Sequence, residues 1–175
     1  MSPLLFVMSA VLLGSPLSTG AGPCFWPPVE APIVDHFRDP GCRWCAGNRG
    51  LEYDVDPGTP VRALAAGTVT FAGVVAGTRY VVIAHADGRR ATYGQLAATT
   101  LAGGHAVAAG AVVGTSTAGL YVGLREGDVY VDPEPYIGRA SPRPYLVPVD
   151  GTPPRPPPPA RITCPAAGLT SDAAR

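Results

Sequence analysis

Residues 79–96 read R-Y-V-V-I-A-H-A-D-G-R-R-A-T-Y-G-Q-L. The first eight are rich in β-branched residues and fit a pleated, half-buried surface. Asp87-Gly88 is a preferred two-residue hairpin turn. Arg89 to Leu96 then returns antiparallel. A hairpin therefore lies at the centre of the chain, and the flanking sequence repeats its grammar. Val61 to Leu64 is a short apolar run. Gly67 to Val75 alternates small or polar with apolar residues. Ala106 to Gly114 holds two brief runs around Gly110. Gly119 to Arg125 and Asp128 to Val131 form a closing hairpin across Glu126-Gly127. No helical period of any length is found.

Composition agrees. The chain has 175 residues, with 22 Gly and 21 Pro, and only 15% are charged. Gly and Pro break helices and supply turns. The expected fold is all-β, a compact antiparallel domain of short strands and many turns. Gly50, Gly58, Gly67, Gly73, Gly104, Gly110 and Gly114 are read as its corners. The 13 basic residues, all Arg, balance 13 acidic ones. That lacks the basic footprint of a nucleic-acid binder.

Three regions are expected. Residues 1–22 read as a signal peptide: the apolar run Pro3 to Gly14 is too short for a membrane span and is followed by small residues. No Arg or Lys precedes that run. Pro23 argues against lipid attachment at Cys24. Residues 23–138 form the body, with Phe25 and Trp26 of a Pro-rich lead-in packed against it. Residues 139–175 are a Pro-rich C-terminal tail of polyproline type, extended, with its last ten residues disordered. The mature protein is thus expected to be secreted, as a monomer with no membrane anchor.

Cys24, Cys42, Cys45 and Cys164 make an even count, which in an exported chain favours disulfides. Three pairings are possible. Cys42–Cys45 as a local loop and Cys24–Cys164 as a tie between the two ends is the favoured one. A metal site or a redox dithiol at the CxxC has less support, since no second pair or βαβ pattern accompanies it.

Several segments resemble the LytM/lysostaphin family of peptidoglycan endopeptidases. These are N-R-G-L-E-Y-D-V-D-P-G-T-P-V-R-A-L-A-A-G over 48–67, V-V-I-A-H-A-D-G with T-Y-G-Q-L within 81–96, and G-L-Y-V-G-L-R-E-G-D-V-Y-V-D-P-E-P-Y over 119–136. G-G-H-A-V-A-A-G-A-V-V-G, between the second and third, fits the family's glycine spacing. The resemblance implies an open antiparallel architecture, β-sandwich or barrel-like and of duplicated-hybrid type, with a groove; a place outside the cytoplasm in the bacterial cell envelope; and a zinc site made by a His, an Asp four residues on, and the second His of a His-x-His pair. Two further His assist the bound water and the oxyanion. Carried over, the ligand positions are Asn48, Glu52 and Tyr121, and the assisting positions are Gly119 and Gln95. All five differ from the family's residues.

Those substitutions argue against catalysis. Asn48 offers a neutral amide oxygen. Glu52 is longer than Asp by one methylene, about 1.5 Å, where zinc geometry tolerates about ±0.2 Å. Tyr121 is a phenol of pKa about 10. Without zinc the attacking water is not lowered from about 15.7 to about 7, and Gly119 and Gln95 move no proton. His36, His85 and His105 lack ligand spacing to one another, and His85 is read as structural. The expectation is a pseudoenzyme with no catalytic residue, no metal and no cofactor, zinc being lost. It would bind peptidoglycan or regulate a cell-wall hydrolase. The alternative is an active zinc metalloendopeptidase with atypical ligands, and a third reading is a structural domain with no retained ligand.

Overall fold

The computed structural model describes residues 24–42, 44–158 and 160–164. The expected signal peptide and the last ten residues lie outside them. Eleven strands are formed among the described residues: β1 (Ile33–Asp35), β2 (Leu51–Tyr53), β3 (Pro60–Arg62), β4 (Gly67–Val75), β5 (Thr78–His85), β6 (Arg89–Ala98), β7 (Ala106–Val107), β8 (Val112–Glu126), β9 (Val129–Val131), β10 (Arg139–Ser141) and β11 (Arg161–Thr163). The helical content of the described residues is one 3-10 turn, Glu134–Tyr136.

The first nine strands form one open antiparallel sheet in the order β1-β2-β8-β6-β5-β4-β7. The 15-residue β8 is its spine: β3, β2 and β9 pair with successive stretches of one edge, and β6 pairs along the other. The sequence separates Ala106–Gly114 from Gly119–Arg125, but the structure runs the end of the first, from Val112, through all of the second as β8, and leaves Ala106–Val107 as β7. Alternation explains the burial. Leu51 and Tyr53, Val81 and Ile83, Ala91 and Tyr93, and Leu120, Val122 and Leu124 all point into one core, with Val61, Leu64 and Val69. Each such side chain contributes about 1.5–3 kcal/mol by leaving water.

The hairpins shift relative to the sequence reading. Val75 pairs with Thr78, leaving Ala76 and Gly77, both at positive φ (48° and 83°), as a type I′ loop. Ala84 pairs with Arg90. The β5–β6 loop therefore has three residues, with Gly88 at φ 87° and its N–H donating to the His85 carbonyl at 3.1 Å. The two-residue turn expected at Asp87-Gly88 needs positive φ at both, and only Gly88 has it. In the last hairpin Glu126 pairs with Val129, so the loop is Gly127-Asp128, one residue later than expected.

The lead-in is docked as anticipated. Phe25 is 2% exposed, and its N–H and C=O bond the Tyr136 carbonyl and the Gly138 N–H, each at 2.8 Å. The disulfide Cys24–Cys164 holds the lead-in to the end of β11, and Cys42–Cys45 closes a tight loop before β2. Strands β10 and β11 pair with each other, a small sheet that the tail's composition conceals.

Candidate functional site

The sheet face opposite the core carries two of the positions singled out from the sequence, Glu52 and Tyr121. Leu51 and Tyr53 point inward, so Glu52 between them points to this face. Glu52 registers with Asp35 of β1 on one side and Tyr121 of β8 on the other. Tyr121 in turn registers with Gly94 of β6. The structure thus brings Glu52 and Tyr121 together on adjacent strands.

Tyr121 lies down across the sheet. A Cβ built on Gly123 would sit 2.6 Å from its hydroxyl, one on Gly50 would sit 2.8 Å from its Cε2, and one on Gly94 would sit 3.2 Å from its Cδ1. The ring therefore occupies the layer that side chains of three neighbouring positions would fill. Tyr80 does the same beside it, with its Cε1 2.6 Å from the Cβ position of Gly94. Gly50 was read as a corner, yet its φ is not positive. It is glycine because Tyr121 and the Val122 carbonyl, 2.5 Å from a built Cβ, leave no room. Gly67 and Gly114 are likewise close-approach glycines, against the carbonyls of Ala84 (2.3 Å) and Ala98 (2.4 Å). Gly73 has no positive φ either and lies inside β4. Gly58, Gly104 and Gly110 do turn the chain at positive φ.

Gln95 and Gly119 meet where the ladder breaks. Gly94 pairs with Tyr121 but Leu96 pairs with Ser116, so residues 117–120 of β8 oppose the single residue Gln95. Gln95 adopts φ 60° and Gly119 φ 149°. The Gln95 Oε1 lies 2.7 Å from where a Gly119 Cβ would be. Two residues apart on a regular strand, Gly119 and Tyr121 would face the same side; the bulge interrupts that alternation, and sequence periodicity does not reveal it.

Asn48 is 8% exposed. Its Nδ2 donates to the carbonyls of His36 at 3.2 Å and Asp35 at 3.5 Å, while its backbone exchanges bonds with Arg38. Its amide therefore fastens the lead-in to the start of β2. Asp35 is held below the ordinary carboxylate pKa, chiefly by its hydrogen bond from Arg38. The Tyr121 phenol is pushed up, mainly by burial and secondarily by Tyr130 and Tyr80, with Arg49 opposing.

The histidines stand apart from this face. His85 is 7% exposed and its Nδ1–H donates to the Ala66 carbonyl at 2.9 Å, so it is a packed core-edge residue. His36 pairs with Glu134 at 2.7 Å. His105 accepts from its own loop, at Ala102 N–H. Among the described residues no three His, Cys, Asp or Glu groups are placed to share a metal ion. Sequence reasoning missed the concavity beside the face: a cavity of about 770 Å³ between the Cys42–Cys45 loop and β9, lined by Trp44, Arg49, Arg125 and Tyr130 among others. The exposed tryptophan in a CxWC loop was its one local signal.

The comparisons with known proteins agree on the scaffold. The model for peptidase family M23 matches residues 46–133. Uncharacterized proteins of Mycobacterium tuberculosis and Mycobacterium bovis are 37% identical over 95 residues, 54% of this chain. The chain spans only 38% of the length of those curated relatives. Helicobacter pylori Csd3 superposes with TM-score 0.60 and 26% identity, over 66% of this chain and 33% of its own. The catalytic domain of lysostaphin, the antimicrobial peptidase of Staphylococcus simulans, gives 0.54 and 21%, over 61% and 91%, and so shares the fold. A zinc-containing peptidase from Vibrio cholerae gives 0.52 and 21%, over 58% and 35%. With half the chain matched by the family, and with its open antiparallel sheet in common, the protein belongs to peptidase family M23.

Proposed function

We propose that this is a catalytically inactive M23 domain, exported to the cell envelope, that binds peptidoglycan or regulates a wall hydrolase. The observation that carries the reading is the paving of the family's metal-bearing face by Tyr121, above Gly50, Gly94 and Gly123.

The donor set does not fit zinc. A catalytic site needs three protein ligands with lone pairs converging on one point. The Asn48 Nδ2 faces two carbonyls and is a donor there, so this amide serves the fold. The Tyr121 hydroxyl reaches along β8 toward Gly123, away from the Glu52 level, and burial opposes the phenolate a metal would require. That leaves Glu52, and one carboxylate holds no catalytic zinc. At Gln95 and Gly119 there is no group to take up or release a proton near pH 7. No helix among the described residues is long and apolar enough to cross a membrane, and the two disulfides accord with an oxidising compartment.

Sedimentation with purified cell-wall sacculi tests the binding half of this proposal. Co-sedimentation that persists in Glu52→Ala is expected. Failure to sediment with sacculi, together with failure to alter any wall hydrolase, would leave a purely structural domain.

A further inference from the structure

The cavity beside the paved face lies between two different walls. One wall is the loop closed by Cys42–Cys45, carrying Asp39 and Trp44. The other is β9 with the end of β8, carrying Tyr130, Arg125 and Asp128. Arg49 joins them. Its Nη2 donates to the carbonyls of Cys42 (3.4 Å) and Cys45 (3.5 Å), and its guanidinium lies 5.9 Å from the Tyr130 ring centre. The Arg125 guanidinium lies 5.4 Å from the same ring. Two cations thus flank one aromatic ring inside one cavity, each held by a contact of the kind that favours planar guanidinium over ammonium.

Three features define the ligand. Paired guanidinium groups suit a carboxylate, which they grip bidentately. Asp128 is the present partner of Arg125, at 3.1 Å, but its side chain is 96% exposed, and water screens such an exposed pair. The Asp39 carboxylate accepts from its own loop, at Gly41 N–H, 2.9 Å. The Arg125 Nε is buried and has no hydrogen-bond partner among the described residues. Next, β9 pairs with β8 alone among the described residues. Its other edge therefore offers backbone donors and acceptors, and an extended peptide satisfies such an edge by adding as a strand. Finally, Trp44 is 87% exposed, a large apolar surface beside a cavity of the size that takes small ligands.

We infer that this cavity is a binding site for a short peptide ending in a free carboxylate, laid along the open edge of β9 with the carboxylate between Arg49 and Arg125. The site rests on the proposed function only for its natural ligand, which would be a wall peptide. It adjoins the face where the family's metal positions fall, with Arg49 next in sequence to Asn48 and Arg125 four residues along β8 from Tyr121. The Cys42–Cys45 bridge shapes it by presenting two carbonyls to Arg49.

Isothermal titration of the full chain with N-acetyl-trialanine, as free acid and as C-terminal amide, tests the site. The free acid is expected to bind, and the amide to bind at least about tenfold more weakly. Arg49→Gln and Arg125→Gln should each weaken the acid by a similar factor, and Arg125→Lys should restore it only in part. Equal binding of acid and amide, or no binding of the acid up to about 10 mM, overturns the inference, and the wild-type comparison decides even if a variant fails to fold. So does binding of a neutral chitin oligosaccharide that displaces the acid. Sacculus sedimentation without binding of the acid would overturn the site and leave the proposed function standing. Binding of the acid with neither sedimentation nor an effect on any wall hydrolase would do the reverse.

Discussion

The hydroxyl of Tyr121 lies 2.6 Å from the point where Gly123 would carry a Cβ, so the ring of one residue rests on the missing side chain of another two places along the same strand. Gly50, beside them at the start of β2, is vacant for the same ring and for a second reason, the Val122 carbonyl at 2.5 Å. This difference separates two glycines that sequence alone treats alike. Gly123→Ala should cost about 1–3 kcal/mol, the usual penalty of overpacking. In a Tyr121→Ala background that cost should largely vanish, giving a coupling of about 1 kcal/mol or more. Gly50→Ala should remain destabilising in both backgrounds, because the backbone carbonyl stays. Urea unfolding of the four-variant cycle for each glycine measures this.

Asn48 is the position whose identity is most easily misjudged from sequence. Its amide holds two carbonyls of the lead-in. Asn48→Ala should therefore lower stability by about 1 kcal/mol, since it removes hydrogen bonds to two part-buried carbonyls. Asn48→Asp should cost at least as much, because a carboxylate would face those same carbonyls. A functional residue with no structural duty would show no loss in either variant, and thermal unfolding discriminates.

The two disulfides should differ in worth. Cys24–Cys164 spans 140 residues and Cys42–Cys45 spans 3. Loop-closure entropy predicts about 5 kcal/mol for the first and about 2 kcal/mol for the second. Paired Cys→Ser variants, compared by denaturant midpoint, should keep that order. The local bridge should matter more to the cavity than to stability, as its carbonyls orient Arg49.

Much of the scaffold was legible. The 79–96 hairpin, the docking of Phe25 and the all-β class follow from local pattern and turn chemistry. The D-P-G-T-P block reads as a turn, and the structure shows why it is shaped so: Gly58 takes φ 86° and its N–H reaches Ser116 of β8 at 2.9 Å. What escaped was non-local. The bulge opposite Gln95 depends on a register between β6 and β8 that no run of residues declares. The flat pose of Tyr121 needs glycines from β6, from β8 and from the residue just before β2. The cavity needs a loop at 39–44 to meet a strand at 129–131.

Alkaline pH should expose the buried phenols. Burial is the leading cause that raises Tyr53, Tyr93 and Tyr121 above the ordinary tyrosine value. Folding then favours their protonated forms. The associated stability is complete below about pH 10, the unfolded value, and is lost as pH rises toward the higher folded values. Of the seven tyrosines, these three should ionise only as the protein unfolds, and Tyr121→Phe should flatten the decline in stability above pH 10. Absorbance titration near 295 nm checks this, and three normal titrations in folded protein would contradict it.

The central claim is that the M23 scaffold here lacks the means to hold and use zinc. Its most direct test is to load the purified mature protein with zinc, remove excess, and incubate it with cross-linked peptidoglycan, with and without a chelator. The account predicts no retained stoichiometric zinc and no new peptide termini in either arm. About one equivalent of bound zinc, with cleavage that the chelator and Glu52→Ala both abolish, would contradict it.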